Sequence, residues 1–127
     1  MFEKLDLTRM AQSLAANAGA RLGVIARNVA NADTPGYKAR DLPDFGQTYA
    51  AQDGLAMRAT RARHFGAPDN QAPVDTIFAG GSASPNGNNV SLEMEMVKSV
   101  EARQSHDMAL AIYRATSDVI RASLGRK

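Results

Sequence analysis

The stretch Asn28-Val29-Ala30-Asn31-Ala32-Asp33-Thr34-Pro35-Gly36-Tyr37-Lys38 divides this chain into a helical part and an irregular part. Pro35 disfavours a helical Thr34, so a helix arriving from the N-terminal side ends by Ala32 or Asp33. Pro-Gly suits the centre of a type II turn, because Gly36 takes the positive φ needed there. Tyr37 then gives the emerging chain an aromatic anchor.

Upstream of that stop, Leu7 to Asn31 reads as an amphipathic helix. Leu7, Ala11, Leu14, Ala18, Leu22, Ile25 and Val29 recur at spacings of three and four. Arg9, Gln12, Asn17, Arg21 and Arg27 fall off that stripe, and Asp6 or Thr8 is the expected cap. Ala11, Ala15, Ala18 and Ala26 allow close approach of a second helix. Downstream, residues 38–89 are irregular and hold the remaining prolines and most of the glycines. Within them Leu55-Ala56-Met57-Arg58-Ala59-Thr60 alternates weakly, and Thr76-Ile77-Phe78 is its expected partner in a short hairpin. Residues 80–89 are a loop by composition.

A longer helix runs from Ser91 to about Leu124. Ser91 is the expected N-cap, Glu93 and Glu95 stand where the helix dipole favours acid, and Gly125 is the expected terminator. Val97, Val100, Gln104, Met108, Ala111, Ala115, Val119 and Ala122 trace a stripe close to a 3.5-residue period. The expected fold is therefore mainly α: two long terminal helices pairing as an antiparallel coiled-coil-like hairpin, with an irregular or short β-hairpin middle. The expected division is 1–37, 38–89 and 90–127.

Composition narrows the function. Hydrophobic residues make up 44% of the 127, but aromatics are only 6% and tryptophan is absent. Much of the apolar content is alanine, which does little to offset chain entropy, so packing is expected to be completed by partners. The formal net charge of +2 gives no field suited to nucleic acid. No cysteine is present, which removes disulfides and thiolate chemistry. The first residues lack a secretory signal pattern, and no run is apolar enough to insert in a membrane.

Catalytic and metal chemistry find little footing. His64 and His106 each lack a second histidine at ligand spacing. His106 and Asp107 are helical neighbours that diverge, Glu93 and Glu95 do not converge, and the glycines match no phosphate loop. Arg58, Arg61, Arg63 and His64 form a basic cluster that a solvated loop face explains. No enzyme activity, cofactor or metal is expected.

The stretch 28–38 closely resembles the N-terminal signature of the flagellar axial proteins, the rod and hook family, in which an Asn-rich helix end runs into a Thr-Pro-Gly-Tyr turn. The short length, Arg63-His64-Phe65, Pro73-Val74-Asp75-Thr76 and Asn86-Gly87-Asn88-Asn89-Val90 resemble its small rod subunits. Ser91 departs from the acidic residue often found there, keeping capping ability while losing charge. The resemblance implies terminal helices that pack around an axis into a tubular drive shaft and export channel. It also implies flagellar type III export without a cleaved signal and a periplasmic site in the basal body. The partners implied are other rod subunits, further copies of the chain, the inner-membrane ring and the ring-to-rod adaptor. The signature turn is then Asn28, Asn31, Thr34, Pro35, Gly36 and Tyr37. The packing positions are Leu14, Ala18, Leu22, Ile25, Val29, Val97, Val100, Met108, Ala111, Ala115 and Val119. A helical adaptor or chaperone that binds one protein partner is the alternative.

Overall fold

The computed structural model describes residues 2–52 and 76–125. Helix α1 spans Phe2–Ala30, strand β1 Arg40–Asp41, helix α2 Phe45–Gln52, strand β2 Ile77–Phe78 and helix α3 Leu92–Ser123. The chain is mainly helical, and α1 and α3 pack against each other along their lengths. They run antiparallel: Asn28 near the end of α1 bonds Glu95 near the start of α3. Ala18 and Arg21 share a groove with Ala102 and Ser105.

The seam between them is built from heptads of small residues. On α1 it uses Ala11, Ala18 and Ile25; on α3 it uses Glu95, Ala102, Ala109 and Thr116, each seven residues from the last. A strict seven-residue repeat keeps one face turned to a partner helix, and alanine there lets the backbones approach closely. Val24, Ala39 and Leu42 extend the buried core beside the seam.

Several local expectations change. The first helix starts at Phe2 rather than Leu7, so Asp6 and Thr8 lie inside it and do not cap it. Arg21 is not off the packing face. It is half-buried because Asp41, brought over by β1, pairs with it. The middle contains a helix, α2, started by Asp44: its carboxylate accepts from the Gly46 N–H at 3.1 Å, and its carbonyl accepts from the Thr48 N–H at 3.1 Å. Strand β2 pairs antiparallel with β1, Arg40 opposite Phe78 and Asp41 opposite Ile77. The expected partner strand at 55–60 lies outside the described residues, as does the basic cluster at 58–64.

Both helix ends of α3 agree with the sequence. The Ser91 hydroxyl accepts from the Met94 N–H at 3.4 Å, and Gly125 at φ 65° ends the helix.

Candidate functional site

The two asparagine-rich motifs, about fifty residues apart, meet. Gly36 sits at φ 74°, and the Tyr37 N–H donates to the Thr34 carbonyl at 3.3 Å, closing the Pro35-Gly36 turn. The 86–89 stretch clasps this turn. The Gly36 N–H donates to the Asn86 carbonyl at 3.0 Å, and Lys38 Nζ donates to the Gly87 carbonyl at 2.8 Å. Gly87 also has positive φ, 81°, and a Cβ there would stand 3.4 Å from the Gly36 Cα.

Asn88 is the centre of the clasp and is almost fully buried. Its Nδ2 donates to the carbonyls of Asn31, Ala32 and Thr34 at 2.9, 2.7 and 2.9 Å. These carbonyls belong to the turn that follows α1, where Asn31 and Thr34 also accept from the Thr34 and Tyr37 N–H groups, so one side chain from the far motif gathers the exit of the first helix. Asn89 joins the next layer: its Oδ1 accepts from the Ala39 N–H at 2.6 Å and its Nδ2 donates to the Ala79 carbonyl at 3.0 Å.

Asn28 does the same work inside the helix pair and has no exposed surface. Its Nδ2 donates to the Arg40 carbonyl at 2.7 Å and to Glu95 Oε2 at 2.9 Å. Its Oδ1 accepts from the Arg40 N–H at 3.1 Å and from the Tyr37 hydroxyl at 3.3 Å. Both donors and both acceptor sites are used, which removes the penalty for burying an amide. Asn31 bonds its own helix end, to the Arg27 carbonyl at 2.8 Å, and accepts from Thr34 Oγ1 at 3.2 Å.

Beside Asn28 four charges balance. Arg21 grips Asp41 through Nε at 3.0 Å and Nη2 at 3.3 Å. Lys98 Nζ lies 3.2 Å from Asp41 and 3.3 Å from Glu95. Burial pushes the Asp41 carboxyl up, but hydrogen bonds from Arg21, the Leu42 N–H and Lys98 outweigh it and hold the group below its ordinary value. For Lys98 burial lowers the affinity for its proton, and Asp41 and Glu95 more than restore it, so the net direction is up. The hydrogen bond to Asp41 likewise raises Arg21. Each charge already has an opposite partner, so the cluster ties α1, β1 and α3 together.

His106 and Asp107, expected to diverge, approach each other instead: Nδ1 of the half-buried His106 lies 3.8 Å from Oδ1 of the exposed Asp107. Among the described residues no group of acids and histidines could hold a metal ion, and no helix is long and apolar enough to cross a membrane. A groove of about 300 Å³ between the helices and the start of α2 is lined by Leu14, Arg21, Leu42, Asp44, Phe45 and Ala102.

The positions named for packing divide into two sets. Ala18 and Ile25 are buried and Leu14 and Leu22 half-buried in the seam. Val29, Val97, Val100, Met108, Ala111, Ala115 and Val119 are turned outward, with Val100 67% and Val97 53% exposed. Hydropathy passes over the residues that join the elements, namely Arg21, Asp41, Asn88, Asn89, Glu95 and Lys98, because it selects against polar side chains. The signal that finds the seam is the seven-residue recurrence of Glu95, Ala102, Ala109 and Thr116.

The family described as flagella basal body rod protein matches residues 9–38, the stretch from the second turn of α1 to the Lys38 of the clasp. The flagellar basal body rod protein FlgB of Salmonella typhimurium is 31% identical over 123 residues, 88% of each chain. The chain belongs to the flagellar basal-body rod protein family. FlgB of Yersinia enterocolitica is 37% identical over 106 residues, covering 75% of this chain and 77% of that protein. FlgB of Cereibacter sphaeroides is 36% identical over 94 residues, 72% and 73% of the two chains. The last residues of the family match, Asn31 to Lys38, are those the clasp binds, so in this rod protein the family signature includes the turn that receives Asn86–Asn89.

Proposed function

We propose that this rod-family chain is a non-enzymatic structural subunit of the flagellar basal-body rod. Its helix pair stands side by side with neighbouring pairs to build the wall of the drive shaft and export channel. It reaches the periplasm through the flagellar type III apparatus without a cleaved signal. There it meets other rod subunits, the inner-membrane ring and the ring-to-rod adaptor. The observation that carries this reading is the outward stripe of α3. Met96, Val97, Val100, Met108 and Val119 are each about half to two-thirds exposed although the helix already has a partner. Burying such a stripe between chains stabilises an assembly at about 25 cal/mol per Å².

The test is a set of strains scored for motility and for rods in basal-body preparations. Val100→Asp is expected to be exported and to build no rod. His64→Ala and His106→Ala are expected to swim, because neither imidazole has a chemical task. A histidine variant that assembles rods yet cannot swim would replace this reading with a catalytic one. A small defined complex with one partner, and no rod, would favour an adaptor or chaperone.

A further inference from the structure

The outer face of α1 is as unusual as that of α3. Between Arg9 and Arg27 it shows Gln12, Ala16, Gly19, Gly23 and Ala26, all exposed, and Ala20, half-exposed; the one charge in the interval, Arg21, is turned in to Asp41. A solvated helix face ordinarily carries charge. A Cβ built on Gly19 or Gly23 meets nothing within 4 Å, so the helix backbone is open to close approach along this face. Across the molecule, α3 presents the opposite relief. Val97, Met108 and Val119 recur every eleven residues, as do Val100, Ala111 and Ala122, a period that runs nearly straight along a helix. One face has knobs and the other has room for them.

Charge supplies the register. At the clasp end of the molecule Arg27 closes the small-residue face of α1 and Glu93 heads the α3 stripe. Both are exposed, and neither has an ion-pair partner among the described residues. We infer that the outward stripe of α3 docks against the outward small-residue face of α1 on a second copy of this chain, antiparallel, with Arg27 level with Glu93. The inference rests on the rod reading and names the partner surface that reading leaves open. Moving back along α1 and forward along α3 by equal steps brings Gly23 level with Val97, Ala20 with Val100 and Gln12 with Met108. The two faces lie on opposite sides of one molecule, so the contact is head-to-tail and propagates from copy to copy rather than closing a dimer.

The chain has no cysteine, which makes paired cysteines a clean test. Gly23→Cys combined with Val97→Cys, as the sole copy in the cell, is expected to give a ladder of disulfide-linked multimers in mildly oxidised basal bodies. Each single variant is expected to give none, since a head-to-tail contact never sets a position against the same position of the next copy, and a disulfide needs Cα atoms within about 7 Å. Dimers from Val97→Cys alone would put α3 against α3 and overturn the inference. Basal bodies that contain the double variant but yield no ladder would overturn it as well, while leaving the rod reading in place. Absence of the unmodified chain from basal bodies would overturn both. Should the cysteines block assembly, charge reversal decides. Arg27→Glu or Glu93→Arg is expected to lower rod yield several-fold, and the pair together to restore it; no recovery in the pair would overturn the register.

Discussion

Asn88 holds three carbonyls of another segment with one amide, and that makes it the side chain whose chemistry can be separated most cleanly from its size. Asn88→Ala removes that donor, and since the Asn31 and Thr34 carbonyls still accept from the Thr34 and Tyr37 N–H groups the loss falls mainly on the Ala32 carbonyl, a cost of about 1–3 kcal/mol. Asn88→Asp keeps the shape but aims a carboxylate at carbonyl oxygens and at the negative end of the α1 dipole. The aspartate is therefore expected to lower the melting temperature more than the alanine, as thermal unfolding followed by circular dichroism would show. The turn it caps is limited by backbone conformation instead. Nothing lies within 4 Å of a Cβ at Gly36, so the whole cost of a side chain there is its φ of 74°. Gly36→Ala is expected to lose about 1–2 kcal/mol and the β-branched Gly36→Val more, again read from unfolding.

Among the elements, β1 is the joint on which the others close, since Asp41 reaches both long helices from two residues of strand. Its lowered native value fixes the sign of the pH dependence. Asp41 stabilises the fold above its ordinary 3.8, and that contribution is lost as pH falls through the lowered native value. Lys98 works in the other direction: its contribution is complete below 10.5 and is lost as pH rises through the raised value. Asp41→Asn is expected to lower stability near neutrality by about 1–2 kcal/mol, discounted for the half-exposed Arg21, and to flatten the acid limb of a melting-temperature profile. If the acid limb were unchanged in this variant, Asp41 would not be its source. The elements were legible in the sequence to different degrees. The stop at Pro35-Gly36, the Ser91 cap and the Gly125 terminator act through local backbone preferences and stood where the residues put them. The α1–α3 pairing was legible as a pair but not as a face. Its seam uses alanine, a glutamate and a threonine, while the larger apolar residues of α3 point away, so a search for large hydrophobics finds the outward stripe. The α2 helix was hidden because Pro43 and Gly46 flank its start, although Asp44 is an ordinary N-cap. The pairing of Asn28 with Glu95 and of Asn88 with α1 depends on contacts distant in sequence, which no local period encodes.

For the whole molecule, the division between seam and outer stripe predicts two kinds of failure from one kind of substitution. Ala102→Asp buries a carboxylate in the closed α1–α3 seam, where alanine is 1% exposed, and is expected to cost several kcal/mol and unfold the chain. Val100→Asp, two residues away and largely exposed, is expected to leave circular dichroism and melting of the isolated chain within about 0.5 kcal/mol of the parent while removing rod assembly. Equal damage to the fold from both would mean that α3 has no free face. The β1–β2 pair also joins Arg40–Asp41, ahead of α2, to Ile77–Phe78, just past the point where the described chain returns at Thr76. Asp41 is tied to both long helices through Arg21 and Lys98, and Ile77 is held against Asp41 in the strand pair. The cost of closing a segment held at both ends grows only with the logarithm of its length, about 0.6 kcal/mol for each doubling. Residues inserted between Gln52 and Thr76 are therefore expected to leave the melting temperature of the helix pair little changed, so that length can vary there without loosening the grip of one long helix on the other.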